Sequence, residues 1–128
     1  MTHGTAHIGS TPYRTDIIVG GHPITADEPV ALGGKGAGPA PYDLLLASLG
    51  ACTAITLKMY AERKGWALTS VDVALRIVGT DERRIERTLS IQGLDDSQKA
   101  RLAEIAERTP VTLTLKSGMP IDTRLASR

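Results

Sequence analysis

The chain has 128 residues, which fits one domain, and its 41% hydrophobic and 23% charged residues are typical of a soluble globular protein. Its 15 basic and 14 acidic residues give a net charge of +1, and only 3% of the residues are aromatic. A nucleic-acid-binding protein would show a basic stripe with stacking aromatic side chains, so we do not expect that class. A single cysteine excludes an intrachain disulfide. Residues 1–10 contain neither the basic region nor the apolar stretch of a signal peptide, and we therefore expect a protein of the reducing cytoplasm.

The first third of the chain predicts a hairpin followed by a loop. Residues 1–10 are small and polar, and we expect them to form a loose lead-in. The apolar alternation over 13–19 predicts a strand, and Gly20-Gly21 predicts a hairpin turn into a return strand over 22–27. The segment 33–41, GGKGAGPAP, is expected to be a flexible loop, because it fits neither the Walker pattern nor the dinucleotide-binding fingerprint.

The segment Pro41–Lys64 predicts a long helix that is apolar on every side. Pro41 suits the first turn of a helix, and Gly65 suits the position after its end. From Leu44 to Leu57 almost every residue is apolar or small, so the helix needs to be buried all round. These fourteen residues are too few to span a bilayer, which favours a buried helix in a soluble protein with no membrane partner. Because 128 residues give limited material to cover such a helix, we expect a homodimer.

After this helix the pattern predicts two strands, a second helix and a last strand. An apolar period of two indicates a strand near 71–77, and the return strand spans 83–91. Arg87 falls on the apolar face of the return strand, which is unusual. Asp95 and Gln98 predict the capped start of a helix that Pro110 limits, followed by an apolar run over 111–115 and a strand over 120–125. Strands and helices are segregated, which favours an α+β fold with an antiparallel sheet in a single domain, 1–128.

The only cysteine, Cys52, is the first candidate for chemistry, although most free cysteines are small buried hydrophobic residues. In the middle of a helix it gains nothing from a helix N-terminus, so a nucleophilic Cys52 would need a cation from elsewhere in the fold or from a partner chain. Asp43 lies nine residues earlier, roughly 180° around the helix, and would act across a dimer interface or as a first-turn charge. Arg14 and Arg87 are the candidate cations, and the simpler interpretation of each is a solvated or ion-paired strand residue.

Other classes of site have less support in the sequence. The three histidines and one cysteine lack the spacing of metal ligands, so we expect no metal and no cofactor. The chain has no Gly-x-Ser-x-Gly elbow of the kind found in serine hydrolases.

The run ADEPVALGGKGAGPAPYDLLLASLGACTAITLKMYAERKGW resembles the OsmC/Ohr superfamily of organic hydroperoxide reductases, and most closely its OsmC-like branch. In that branch a GP-x-P loop precedes a long helix with a Leu-Gly-Ala-Cys-Thr core and a Tyr-Ala-x-Arg-Lys end. The similarity extends to the strand pair over 71–91, to the segment GLDDSQKARLAEIAERTPV and to the final strand. The resemblance implies a thiol-dependent peroxidase in oxidative stress defence. It also implies an intertwined α+β homodimer, in which antiparallel sheets from both chains wrap two long central helices.

The resemblance also assigns roles to individual residues. Cys52 matches the cysteine that attacks the O–O bond of the peroxide and becomes a sulfenic acid. Asp43 matches the assisting acidic residue, and Arg14 stands for the family arginine. Thr109 occupies the position of the resolving cysteine of a Cys-Pro-Val motif, and Thr112 a position where this branch often has histidine.

Threonine cannot form a disulfide, so three outcomes stay open. Cys52 could be regenerated by an external thiol, or it could form a Cys52–Cys52 bridge across the dimer. The third outcome is a catalytically weakened or non-enzymatic dimer that binds an apolar ligand. A cysteine hydrolase is a more distant alternative, because the sequence places no histidine beside Cys52.

Overall fold

The computed structural model describes residues 2–127 and has an α+β architecture with antiparallel strands and one long helix, as predicted. Its elements, in chain order, are β1 (Gly4–Ile8), β2 (Thr15–Val19), β3 (His22–Ala26), a 3₁₀ helix (Val30–Leu32), α1 (Pro41–Lys64), β4 (Ser70–Val78), β5 (Arg84–Gln92), α2 (Asp96–Ala106) and α3 (Pro110–Ser117). The chain divides into two compact units, residues 1–47 and 48–128, and α1 begins in the first and continues into the second. That residues 1–128 form a single domain stays a prediction.

The first unit contains a three-stranded antiparallel sheet in the order β1-β2-β3. The predicted hairpin is confirmed, since His22 pairs with Val19 across the Gly20-Gly21 turn. The predicted loose lead-in is wrong, because Gly4–Ile8 pairs residue by residue with β2. All five side chains of β1 are exposed, so backbone hydrogen bonds rather than burial define this strand. A strand of this kind leaves no apolar alternation in the sequence.

The glycine-rich loop after β3 is organised around the buried carboxylate of Asp27. Its two oxygens accept hydrogen bonds of 2.8–3.3 Å from four backbone N–H groups, those of Tyr13, Glu28, Lys35 and Ala37. These bonds, that from Ala37 most strongly, lower the pKa of Asp27 although burial opposes the shift. Gly34 allows the chain to approach closely, because a Cβ there would lie 2.0 Å from the Glu28 carbonyl oxygen. Amides of this loop therefore bind an internal carboxylate.

In the second unit, α1 packs one face into an aliphatic core. The helix has the predicted bounds, Pro41–Lys64, and ends at Gly65, whose φ of +69° lies in the left-handed region. Trp66 N–H then donates to the Ala61 carbonyl at 2.9 Å, which completes the terminating turn. The core contains buried residues of α1, β5, α2 and the segment after α1: Leu57, Ala61, Leu68, Ile91, Leu102 and Ala106.

The opposite face of α1 is not covered within the chain. Ile55 is 55% and Met59 54% exposed, and with Ala51 they form an exposed apolar stripe at helical spacing. By length and composition α1 could cross a membrane, with a mean hydropathy of 1.5 over its most apolar window, and only 22% of that window is buried. The core helix of a soluble protein meets the same test. The expected burial on every side is therefore not reached in one chain, and the homodimer stays a prediction.

The C-terminal segment confirms one prediction, assigns a helix to the apolar run and corrects the predicted last strand. Asp95 caps α2 in a reciprocal arrangement with Gln98, as predicted, with hydrogen bonds of 2.8 and 3.0 Å. The apolar run over 111–115 belongs to a helix, α3, because Pro110 at its first position is preorganised for helix initiation. The predicted strand over 120–125 is wrong, since residues 118–127 have no regular secondary structure. An extended segment becomes a strand only when it pairs with another strand.

Candidate functional site

Cys52 lies half-buried near the middle of α1, and its sulfur faces the start of α3. The Val111 N–H donates to Cys52 Sγ at 3.4 Å. Pro110, the residue before it, has no N–H, so Val111 supplies the first donor that α3 offers. Unpaired N–H groups at a helix N-terminus stabilise negative charge, and such positions favour reactive cysteines. Cys52 therefore contacts the first N–H group of a second helix, which its position in the middle of α1 does not indicate.

The start of α3 is fixed by Thr109, which is fully buried at the position before the helix. Its carbonyl accepts the Leu113 N–H at 3.0 Å, and its hydroxyl lies 2.6 Å from the Thr112 hydroxyl. Because the Thr112 hydroxyl donates to the Ala106 carbonyl at 3.3 Å, its oxygen accepts from Thr109. The residue at the expected resolving-cysteine position thus has a defined structural role in this chain.

Arg87 of β5 extends into this region and connects three helices. Its side chain is 11% exposed, and its two terminal nitrogens donate hydrogen bonds of 2.9–3.0 Å. The four acceptors are Thr53 on α1, Thr112 on α3, and the Ala106 carbonyl and the Glu107 carboxylate at the end of α2. The planar guanidinium suits this task, because its N–H groups point in fixed, divergent directions.

The hydrogen bonds of Arg87 lie directly beside the sulfur contact. Thr53 follows Cys52 in α1, and Thr112 follows Val111 in α3, so Arg87 connects the two helices next to the Cys52–Val111 hydrogen bond. Thr53 also donates to the Leu49 carbonyl at 2.7 Å, which leaves its oxygen free to accept from Arg87. Among the residues that the structure describes, no buried side-chain nitrogen or oxygen lacks a partner. We infer that Arg87 positions the start of α3 against Cys52.

Arg87 has a wider role than the solvated or ion-paired strand residue that we expected from the sequence. Its place on the apolar face of β5 was the signal, and an ion pair with Glu107 at 3.0 Å agrees with the simpler interpretation. Lys116 also pairs with Glu107, at 3.3 Å, and Lys116 and then Arg87 lower the pKa of this carboxyl. The bonds to Thr53 and Thr112 had no signal in the sequence, because they depend on how α1, β5 and α3 pack.

A cavity of about 500 Å³ adjoins this network in the second unit. Leu49, Arg87 and Thr112 are among the residues that line it. Its remaining walls include two further arginines and a lysine, so the cavity is strongly cationic.

The other two predicted site residues belong to the first unit. Arg14 pairs with Asp16 at 3.3 Å, and both side chains are more than half exposed, at 58% and 60%. Asp43 accepts the Ala40 N–H at 3.0 Å in the first turn of α1, where a negative charge also suits the helix dipole. These contacts agree with the simpler interpretations of both residues, and their catalytic roles stay predictions. Across residues 2–127 no group of three or more His, Cys, Asp or Glu side chains could hold a metal ion.

Comparison with known proteins identifies the family to which this architecture corresponds. The model of the family described as OsmC-like protein matches residues 34–124, a range that includes Cys52, Arg87 and all of α3. No curated protein sequence is significantly similar to the chain.

Several solved structures share the fold. A proposed osmotic stress induced and detoxification response protein of Psychrobacter arcticus is 27% identical, with a TM-score of 0.76 over 94% of this chain and 90% of that one. An organic hydroperoxide resistance protein, OsmC, of Legionella pneumophila is 22% identical, with a TM-score of 0.63 over 91% and 89% of the two chains. The organic hydroperoxide resistance protein OhrB of Bacillus subtilis is 19% identical, with a TM-score of 0.65 over 92% of each chain. The last two likenesses, at their low identity, concern the fold.

Proposed function

Because the chain belongs to the OsmC-like protein family, we propose that it is a thiol-dependent peroxidase that reduces organic hydroperoxides through Cys52. The observation that carries this proposal is the hydrogen bond of 3.4 Å from the Val111 N–H to the Cys52 sulfur. Through this hydrogen bond the N-terminus of α3 lies at the sulfur, where its dipole would stabilise a thiolate. The names of the Legionella and Bacillus structures, which refer to organic hydroperoxide resistance, support the same substrate class.

The proposed reaction begins with attack of the Cys52 thiolate on the terminal oxygen of the hydroperoxide. A sulfur–oxygen bond forms and the O–O bond breaks, so the sulfur is oxidised to the sulfenic acid and the peroxide is reduced. The alkoxide fragment takes up a proton and leaves as an alcohol. Val111 stabilises the charge on sulfur before the attack, and Arg87 keeps α3 in the position that this requires.

Regeneration needs a reductant from outside the chain, because Cys52 is the only cysteine. A first external thiol condenses with the sulfenic acid and releases water, and a second thiol then displaces Cys52 from the mixed disulfide. We propose that this cycle operates in a cytoplasmic homodimer, whose interface includes the exposed stripe Ala51, Ile55 and Met59.

The direct test adds cumene hydroperoxide or t-butyl hydroperoxide to the reduced protein and traps the sulfenic acid with dimedone for mass spectrometry. We expect an adduct on Cys52 and loss of peroxide consumption in Cys52→Ser. Thr56→Ala, one helical turn further along α1, is the matched control and should keep both activities. The proposal is wrong if no adduct forms on Cys52 at any peroxide dose and Cys52→Ser consumes peroxide as fast as the unmodified chain.

A non-enzymatic dimer that binds an apolar ligand was the alternative left open by Thr109. The cavity that adjoins the Arg87 network does not favour it, because four cationic side chains line that cavity: Arg83, Arg84, Arg87 and Lys116. A purely apolar ligand there would remove these side chains from water without offering them a hydrogen bond.

A further inference from the structure

The cavity that adjoins the Arg87 network is lined by more cationic than anionic side chains. Its lining includes the cations Arg83, Arg84, Arg87 and Lys116 and one carboxylate, Glu107. Four positive charges and one negative charge leave an excess of three. A concave surface with a single sign of charge concentrates ions of the opposite sign. Three aliphatic side chains complete the walls, so the cavity suits a small organic anion.

The charges differ in how far they are already neutralised. Arg87 and Lys116 both contact Glu107, at 3.0 and 3.3 Å, so this carboxylate is shared between two cations. Arg84, by contrast, is exposed at the start of β5 and projects into the same cavity. A bound anion would therefore interact mainly with Arg84 at the start of β5, and Lys116 would provide a second contact.

Two residues of the cavity lining are close in sequence to the two residues that form the Cys52–Val111 contact. Leu49 lines the cavity and lies three residues before Cys52, which places the two on neighbouring positions of one face of α1. Thr112 lines it from α3 and directly follows Val111, the donor to Cys52 Sγ. A ligand with its anionic groups in the cavity can thus extend a short arm towards the sulfur.

A peroxidase with one cysteine needs a reductant that reaches its sulfenic acid from solution. Thr109, near the start of α3, is fully buried and has no sulfur to offer. The cavity, at about 500 Å³, admits small molecules rather than a protein domain.

We propose that this cavity binds a low-molecular-weight thiol that carries carboxylate groups, and that this thiol reduces the oxidised Cys52. The inference rests on the proposed function and names its reductant by class. The thiol sulfur forms a bond with Cys52 Sγ, and the hydroxyl of the sulfenic acid leaves as water with the thiol proton. The thiolate of a second molecule then attacks the mixed disulfide, which releases the small disulfide and returns the Cys52 thiolate.

The first experiment compares two reductants that share one thiol. Cys52 sulfenic acid is generated with one equivalent of cumene hydroperoxide, and its reduction by glutathione or by glutathione diethyl ester is followed by mass spectrometry. We expect glutathione to reduce the sulfenic acid about tenfold faster than its diethyl ester does at low ionic strength. The ratio of the two rates should approach one at about 1 M salt.

Matched variants test whether the cavity residues cause the faster reaction of glutathione. Arg84→Gln and Lys116→Gln should each lower the ratio of the rate with glutathione to the rate with its diethyl ester several-fold, whereas Arg63→Gln should not. Arg63 is an exposed arginine in the last turn of α1 and does not line the cavity. Equal rates for acid and ester, or the same ratio in Arg84→Gln as in Arg63→Gln, would overturn the inference.

A second experiment requires no peroxide. The reduced protein is treated with dithionitrobenzoate, which is a dianion, and with neutral dithiodipyridine, and the two rates of Cys52 modification are compared. A preference for the dianion that Arg84→Gln abolishes supports the anion site, even where no sulfenic acid forms and the proposed function fails. Sulfenic acid formation without any preference for anions in either experiment refutes the inference and leaves the proposed function standing.

Discussion

Substitution of Arg87 by lysine separates the charge of this residue from its geometry. The guanidinium donates four hydrogen bonds of 2.9–3.0 Å from two nitrogens, to Thr53 and Thr112 on one side and to Ala106 and Glu107 on the other. A lysine has one nitrogen and cannot serve both sides. Hydrogen bonds to a charged group contribute about 1.5–3 kcal/mol each, and a smaller desolvation cost offsets part of the loss of two. We expect Arg87→Lys to lower the free energy of unfolding by about 2 kcal/mol.

The same substitution should slow the chemistry of Cys52. Without the bonds to Thr53 and Thr112, the connection between α1 and α3 beside Cys52 is lost, so the Val111 N–H is held less firmly towards Cys52 Sγ. We expect alkylation of Cys52 by iodoacetamide, at fixed pH and without denaturant, to slow by roughly tenfold, the equivalent of about 1.4 kcal/mol. Urea unfolding measures the stability, and an unchanged slope would show that the folded state stays compact.

The control is Arg76→Lys in β4. Arg76 pairs with Glu86, but its side chain is 74% exposed, so we expect a change of less than about 1 kcal/mol in stability and no change in alkylation. Thr112→Val deletes one acceptor of Arg87 and should slow alkylation as Arg87→Lys does. If Arg87 acts through α3, the double variant should be no slower than the slower single variant. Additive effects, or an Arg87→Lys variant that reacts as fast as Arg76→Lys, would refute the positioning role.

Three further predictions follow from other contacts. Thr109→Cys should form a disulfide with Cys52 on mild oxidation, because Thr109 lies two residues before Val111, whose N–H contacts Cys52 Sγ. Intact mass and thiol counting would detect the disulfide, and two free thiols after oxidation would contradict the prediction. Asp27→Asn should lower the urea midpoint at pH 7, since an amide group would face N–H donors. The lowered pKa of Asp27 means that its stabilisation is present above the unfolded pKa and is lost as pH falls through the folded pKa, so the difference from the variant should shrink by about pH 3; a constant gap would contradict this. Ile55→Asp should shift the protein to a monomer in sedimentation experiments, and an unchanged sedimentation coefficient would argue against an interface at this stripe.

The elements that local sequence determines were predictable. The long helix was recovered from Pro41 to Lys64 because its apolar content, its first proline and Gly65 all indicate the same limits. The cap of α2 was equally explicit, since Asp95 and Gln98 satisfy each other within one turn. In both cases the stabilising partners lie within a few residues of each other in the chain.

The errors share a different cause, which is dependence on partners distant in sequence. Strand β1 exists because β2 offers it a backbone edge, and no property of Gly4–Ile8 alone encodes that pairing. The segment over 120–125 has a strand-like pattern, but in the described chain no strand pairs with it. The contact between Cys52 and Val111 spans 59 residues, so composition around the cysteine could not indicate it.

The environment of Thr109 shows how a threonine is accommodated at the position where the family resemblance implies a second cysteine. Thr112 donates to the Ala106 carbonyl and accepts from both Arg87 and Thr109, so its single donor and its two lone pairs are all used. A cysteine at position 109 would be a weaker donor to Thr112, which we expect to cost about 1 kcal/mol. Threonine therefore completes the network that positions α3 against Cys52, and under the proposed function the chain has no second cysteine with which to reduce a sulfenic acid. The network therefore favours a fixed, preorganised sulfur site, and under the proposed function the turnover of this chain depends on an external thiol.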